Sequence, residues 1–134
     1  MKIAIVAGRF NRAITDNLVK GARKALEEKE AFIYWVPGAY ELPLACRWLS
    51  EKHDALIALG AVIRGETPHF DYVCEVASAG IAQVSLEKAI PIGFGVITAN
   101  TVEQAAARSG DNENNFGYKA AMAAIDMLNL QRKL

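Results

Sequence analysis

The sequence predicts an α/β protein: a three-layer α/β/α sandwich built on a four-stranded parallel sheet. Short apolar runs rich in β-branched residues alternate with longer segments of helical periodicity along the whole chain. None of the runs alternates polar with apolar residues, as a sheet with one wet face would require. The strands are therefore expected to be covered on both faces by helices of right-handed crossovers.

The elements follow in order. Ile3-Ala4-Ile5-Val6-Ala7 is a buried strand ended by Gly8, and Ala13 to Glu30 is a helix with Ile14, Leu18, Ala22, Ala25 and Leu26 on its apolar side. Phe32 to Val36 is a second strand, stopped by Pro37-Gly38. Glu41 to Lys52 is a helix that tolerates Pro43 in its first turn. Ala55 to Ile63 is a long strand interrupted only by Gly60, followed by a helix from Tyr72 to Ala89. Pro91 precedes the fourth strand, Ile92 to Thr98. A short helix, Val102 to Arg108, and a longer one, Gly117 to Gln131, flank the polar loop Ser109 to Asn115. No repeat, linker or charge block divides the 134 residues, so one domain, 1–134, is expected.

Composition narrows the function classes. Lys plus Arg and Asp plus Glu each total 15, and this balance leaves no general field for nucleic acid or an anionic membrane. An anionic ligand needs a local site. Cys46 and Cys74 lack paired spacing and are expected as free thiols in a reducing cytosol. The first apolar run is cut by Gly8 and Arg9, too short for a signal segment or a spanning helix, which makes the chain a cytoplasmic candidate. The histidines and cysteines are scattered over different elements, so no metal is expected.

In an open parallel sheet the ligand crevice lies beyond the carboxyl ends of the strands. The residues there are Gly8-Arg9-Phe10-Asn11, Pro37-Gly38-Ala39-Tyr40-Glu41, Arg64 through Tyr72, and Thr98-Ala99-Asn100-Thr101. Phe10 is either a core aromatic capping the sheet or a stacking face for a flat heterocycle. Asn11 suits the N-cap of the first helix. Gly65-Glu66-Thr67 before a helix offers backbone N–H groups and a hydroxyl to an anion, or serves simply as turn and cap. His69, in the loop, is either a cap or surface residue or a group that takes and gives protons near neutral pH. His53, between Lys52 and Asp54, is expected to be solvated. Arg108 at a helix end complements the macrodipole or binds phosphate in a bidentate manner.

Taken together, these strand ends resemble the lumazine synthase family, whose fold is flavodoxin-like. The matching segments are Gly8 to Asn11, Val36-Pro37-Gly38-Ala39-Tyr40-Glu41-Leu42-Pro43, Leu59 through Tyr72, Phe94-Gly95-Val96-Ile97-Thr98, and Glu103-Gln104-Ala105 with Arg108. The resemblance implies condensation of 5-amino-6-ribitylaminopyrimidinedione with 3,4-dihydroxy-2-butanone 4-phosphate to 6,7-dimethyl-8-ribityllumazine, with no cofactor. It implies that Phe10, with Asn11 beside it, stacks on the pyrimidine, and that Ala39, Tyr40 and Glu41 hold the ribityl chain. Ala61, Val62 and Ile63 would pair with the pyrimidinedione edge, and Gly65, Glu66 and Thr67 would cradle phosphate. His69 would move protons, while Phe94 and Arg108 would arrive from a neighbouring subunit.

The implied partners are further copies of the chain, as a pentamer or a pentamer-based shell, and riboflavin synthase, which consumes the product. Two departures stand out. Phe116 occupies the position where the family often places a lysine facing the phosphate. The sequence also reads as entering strand one without the N-terminal arm that many members add to a neighbour's sheet, and a short first helix-to-strand connection is expected. A relative with altered chemistry, a flavin-holding module and a shell protein are the competing readings.

Overall fold

In the computed structural model, which describes residues 1–27 and 29–134, the first apolar run forms β1 (Ile3–Gly8), and all of its residues are buried. The other runs form β2 (Ala31–Val36), β3 (Ala55–Ile63) and β4 (Ile92–Ala99). All pairings are parallel, in the order β2-β1-β3-β4. The helices are α1 (Arg12–Leu26), α2 (Leu42–Leu49), α3 (His69–Lys88), α4 (Val102–Ala107) and α5 (Phe116–Lys133), with a 3-10 turn at Ala39–Glu41.

Alternate side chains along each strand leave opposite faces of the sheet, and this splits the core in two. Ile3, Ile5, Ile57, Leu59 and Ile97 meet Leu18, Ala22 and Leu26 of α1 and Ala121, Ala124 and Leu128 of α5. On the other face Ala4, Val6, Leu56, Ala58 and Val96 meet Leu42 and Cys46 of α2 and Val73, Ala77 and Ile81 of α3. The result is the expected three-layer α/β arrangement. Each fully buried Leu or Ile contributes roughly 1.5–3 kcal/mol of apolar burial.

Two glycines let α5 settle closely. A Cβ on Gly93 would collide with the Ala120 carbonyl, and one on Gly117 with the carbonyl of Leu18, so α5 packs its backbone directly on β4 and α1. Asn115 locks this junction. Only 2% exposed, its side-chain oxygen accepts from the N–H groups of Gly117 (2.8 Å) and Tyr118 (3.0 Å). Its amide nitrogen donates to the carbonyls of Asn17 (3.1 Å) and Gly110 (2.9 Å). A residue expected in a polar loop is thus a buried cap joining α1, the loop and α5.

The element bounds depart from the sequence reading in ways with local causes. α1 stops at Leu26 rather than near Glu30, its end closed by the Glu27 N–H on the carbonyls of Arg23 and Lys24, and Glu28 lies outside the described residues. The second helix begins as the 3-10 turn. α3 begins at His69, because the Asp71 N–H already bonds the Pro68 carbonyl (2.9 Å), so His69 opens a helix instead of lying in a loop.

β2 is an edge strand, and α2 packs over β1 and β3, leaving Phe32 60% and Tyr34 41% exposed where a covered face was expected. His53 is not solvated as expected. It is half-buried, edge-on to the Tyr34 ring, with Nδ1 2.7 Å from the Leu49 carbonyl. A carbonyl only accepts, so Nδ1 holds the proton, and the buried Nε2 has no partner among the described residues. No described helix is long and apolar enough to cross a membrane.

Two outcomes follow from this packing. Asn115→Ala removes the cap from the Gly117 and Tyr118 N–H groups and the tie to the Asn17 and Gly110 carbonyls, and is expected to destabilise the protein by about 2 kcal/mol. A urea midpoint measured at fixed protein concentration and unchanged by the substitution would contradict that role. Burial pushes the Cys46 thiol up to about 12 from 9.0, favouring the neutral thiol in the folded state. That contribution to stability is complete below pH 9 and fades as pH rises toward 12. Cys46 should therefore resist iodoacetamide at pH 8 and react once the chain is unfolded, as peptide mass analysis would show.

Candidate active site

Parallel pairing brings the carboxyl ends of β1, β2 and β3 to one rim, with Gly8 opposite Val36. The chain leaving β1 follows the exit of β2: the Arg9 N–H donates to the Val36 carbonyl (2.8 Å) and the Phe10 N–H to the Pro37 carbonyl (3.2 Å). This turns Phe10 out of the core, and it is 72% exposed. The core-aromatic alternative is excluded for Phe10 in the protomer. Gly38 lies under the ring, where an added Cβ would come 3.1 Å from the Phe10 Cδ2.

Asn11 adopts the left-handed conformation (φ 56°, ψ 49°), which asparagine tolerates better than most residues. It occupies the N-cap position of α1, but its side chain makes no cap bond. The amide nitrogen instead donates to the Ala61 carbonyl on β3 (2.9 Å). The N-cap expectation is thus corrected: the long-range acceptor at the end of β3 outcompetes the helix's own N–H groups for this side chain. Thr15, fully buried and not singled out from the sequence, braces the same turn, its hydroxyl donating toward the Phe10 carbonyl at 3.3 Å.

These turns enclose a cavity of about 640 Å³, within the usual range for a small-molecule site. Its lining is Phe10, Asn11, Gly38, Ala39, Tyr40, Glu41, Ala61, Val62, Ile63, His69 and Val73. The cavity therefore offers an exposed aromatic face, the half-buried Glu41 carboxylate and an imidazole around a mostly apolar floor. Such a set can stack a heterocycle, accept hydrogen bonds from hydroxyls and move protons. Val73, one helical turn beyond His69 on α3, was missed because in sequence it is one apolar helix residue among many.

Gly65, Glu66 and Thr67 are exposed on the same rim but do not line this cavity, and the Thr67 hydroxyl accepts from the His69 N–H at 3.4 Å. Phe94 lies on the far edge strand, 44% exposed, in a separate apolar groove with Ile81, Ala82 and Leu86. Arg108 is exposed beyond α4, donating to the Gln104 carbonyl (2.9 Å), so a single protomer brings neither Phe94 nor Arg108 to the cavity. Arg64, unassigned from the sequence, ties the exits of β3 and β4 to the first turn of α3. It donates to Asn100 (2.9 Å), pairs with Asp71 (3.4 Å) and lies over the Phe70 ring (4.4 Å).

A parallel sheet wound on both faces, with a mostly apolar cavity at its carboxyl rim, defines a small-molecule-binding α/β protein. The family model of 6,7-dimethyl-8-ribityllumazine synthase matches residues 1–132. A 6,7-dimethyl-8-ribityllumazine synthase from Kosmotoga olearia is 51% identical over 141 residues, covering 100% of this chain and 90% of the relative. The chain belongs to the 6,7-dimethyl-8-ribityllumazine synthase family.

The Asn11 bond makes a separable prediction. Asn11→Gly keeps the left-handed turn but loses the tie to Ala61, and should weaken ligand binding in the cavity about tenfold with little loss of stability. Asn11→Ala adds backbone strain of about 1 kcal/mol. Titration with a pyrimidine ligand and a denaturation curve would separate the two effects; equal stability of both variants would contradict the backbone assignment.

Proposed function

We propose that this protein condenses 5-amino-6-ribitylaminopyrimidinedione with 3,4-dihydroxy-2-butanone 4-phosphate to form 6,7-dimethyl-8-ribityllumazine, releasing phosphate and water. The observation that carries the reading is the convergence of the exposed Phe10 ring, Glu41 and His69 on one cavity in a member of this family. The pyrimidine stacks on Phe10, its edge pairs with backbone at Ala61, Val62 and Ile63, and the ribityl hydroxyls meet Ala39, Tyr40 and Glu41. Asn11 holds the Phe10 turn against β3. Gly65, Glu66 and Thr67 receive the phosphate from the rim.

The amine attacks the ketone and water leaves as the Schiff base forms; phosphate then departs, and ring closure expels further water. His69 moves protons through these steps. The reactants are intrinsically reactive toward each other, so holding them together supplies much of the acceleration.

The working form is a closed ring of subunits, a pentamer, alone or assembled into a shell. Apolar surface supports this. Phe32 and Tyr34 are exposed on the β2 edge of the sheet, and Leu86 and Phe94 share an apolar groove at the other. Unlike patches at opposite edges suit head-to-tail association, which closes into a ring. In that arrangement Phe94 and Arg108 of one subunit complete the cavity of the next. The free cysteines agree with a cytoplasmic location, and riboflavin synthase is the expected consumer of the product.

Mixing the assembled protein with both substrates should accelerate lumazine fluorescence and phosphate release above the uncatalysed rate; no acceleration would overturn the proposal. His69→Ala should lower kcat about 10- to 100-fold without abolishing turnover. A complete loss in a correctly assembled variant would exclude this division of labour, and sedimentation as a monomer would exclude shared sites.

A further inference from the structure

The start of α5 holds a group of side chains with no role in the protomer's own cavity. The Phe116 N–H donates to the Arg108 carbonyl at 2.8 Å, tying the first residue of α5 to the residue that ends α4. Lys119, one turn further on, extends its ammonium over the Phe116 ring, 5.6 Å from the centroid. Phe116 is half-buried, whereas Arg108 and Lys119 are exposed. Among the described residues neither cation forms an ion pair. Lys119 therefore stands over the ring of a residue whose backbone is tied to Arg108, with neither cation neutralised by a described carboxylate, on the edge that the proposed assembly presents to a neighbour's cavity.

The backbone at this helix start is fully engaged. Phe116 donates to Arg108, Gly117 and Tyr118 donate to the Asn115 side chain, and Lys119 donates to the Asn115 carbonyl. The N–H groups that usually make a helix start an anion site are thus spent inside the protein. An anion at this edge must be held by side chains.

We propose that Lys119 supplies the second phosphate-binding cation of the shared site, replacing from the next helical turn the lysine that the family often carries at the position of Phe116. Residues three apart share a helix face, so a lysine at 119 can bring its charge to the surface that residue 116 borders. The Phe116 ring holds the ammonium by cation–π attraction while leaving its other hydrogen-bond directions open. Arg108 provides the planar fork for a phosphate oxygen pair, and Lys119 a point charge beside it. This assignment rests on the proposed condensation and on shared sites.

The test measures inorganic phosphate binding by calorimetry and steady-state kinetics on assembled wild type, Lys119→Met, Lys119→Arg and the double variant Phe116→Lys/Lys119→Met. Lys119→Met should weaken inorganic phosphate about tenfold and raise KM for the butanone phosphate by a similar factor. KM for the pyrimidine and the sedimentation coefficient should stay unchanged. Lys119→Arg should retain most of the affinity, and Phe116→Lys should restore it in the double variant.

Unchanged phosphate affinity in Lys119→Met overturns the assignment, as does a parallel rise in both KM values, which would mark a merely structural role. Wild type that binds phosphate through Lys119 without accelerating lumazine formation would instead overturn the proposed condensation and leave the cation assignment standing.

Discussion

Parallel pairing of β1 between β2 and β3 is the constraint on which the rest of the molecule depends. Parallel neighbours cannot be joined by a tight hairpin, so each connection crosses the sheet with a helix, and each helix must bury an apolar face against the strands. Ile3, Ile5 and Ala7 therefore face α1 and α5 while Ala4 and Val6 face α2 and α3, within a single run of five apolar residues. The same pairing puts the strand exits on one rim, which is why the polar and aromatic residues of a cavity can come from distant parts of the chain.

On that rim, backbone geometry does more than side-chain chemistry to shape the site. Phe10 is exposed because Arg9 and Phe10 bond the exit of β2, and its ring fits because Gly38 has no side chain beneath it. Asn11 is drawn from helix capping to the Ala61 carbonyl, which bridges the exits of β1 and β3. Asn115 does at α5 what Asn11 does not do at α1: it caps, and it is buried for doing so. The two asparagines differ in the partners that tertiary packing sets within reach.

The edges of the sheet are unequal. β2 leaves Phe32 and Tyr34 exposed, while the β4 edge carries Phe94 in an apolar groove and leads on through α4 to Arg108, Phe116 and Lys119. In the proposed assembly these exposed apolar side chains are covered by contact between copies. Such contact would also bring cations to a cavity whose own lining contains none. In the proposed ring, the incompleteness of the protomer's cavity and its exposed flanks are two sides of one arrangement.

The alternation of apolar strands with amphipathic segments determined the fold class from sequence alone, because burial of a parallel sheet on both faces leaves no other pattern. The rim residues Phe10, Glu41 and His69 were legible for the same reason: each follows a strand end, and topology sends strand ends to one place. Tertiary structure alone decided the Asn11 bond, the buried cap of Asn115, the enclosure of His53 and the position of Lys119 over Phe116. Each depends on the partner a side chain meets across the fold, and hydrogen-bonding or charged groups choose among several partners by distance and geometry. Apolar periodicity registers only whether a residue avoids water, so it could draw the layers but not the contacts between their polar groups.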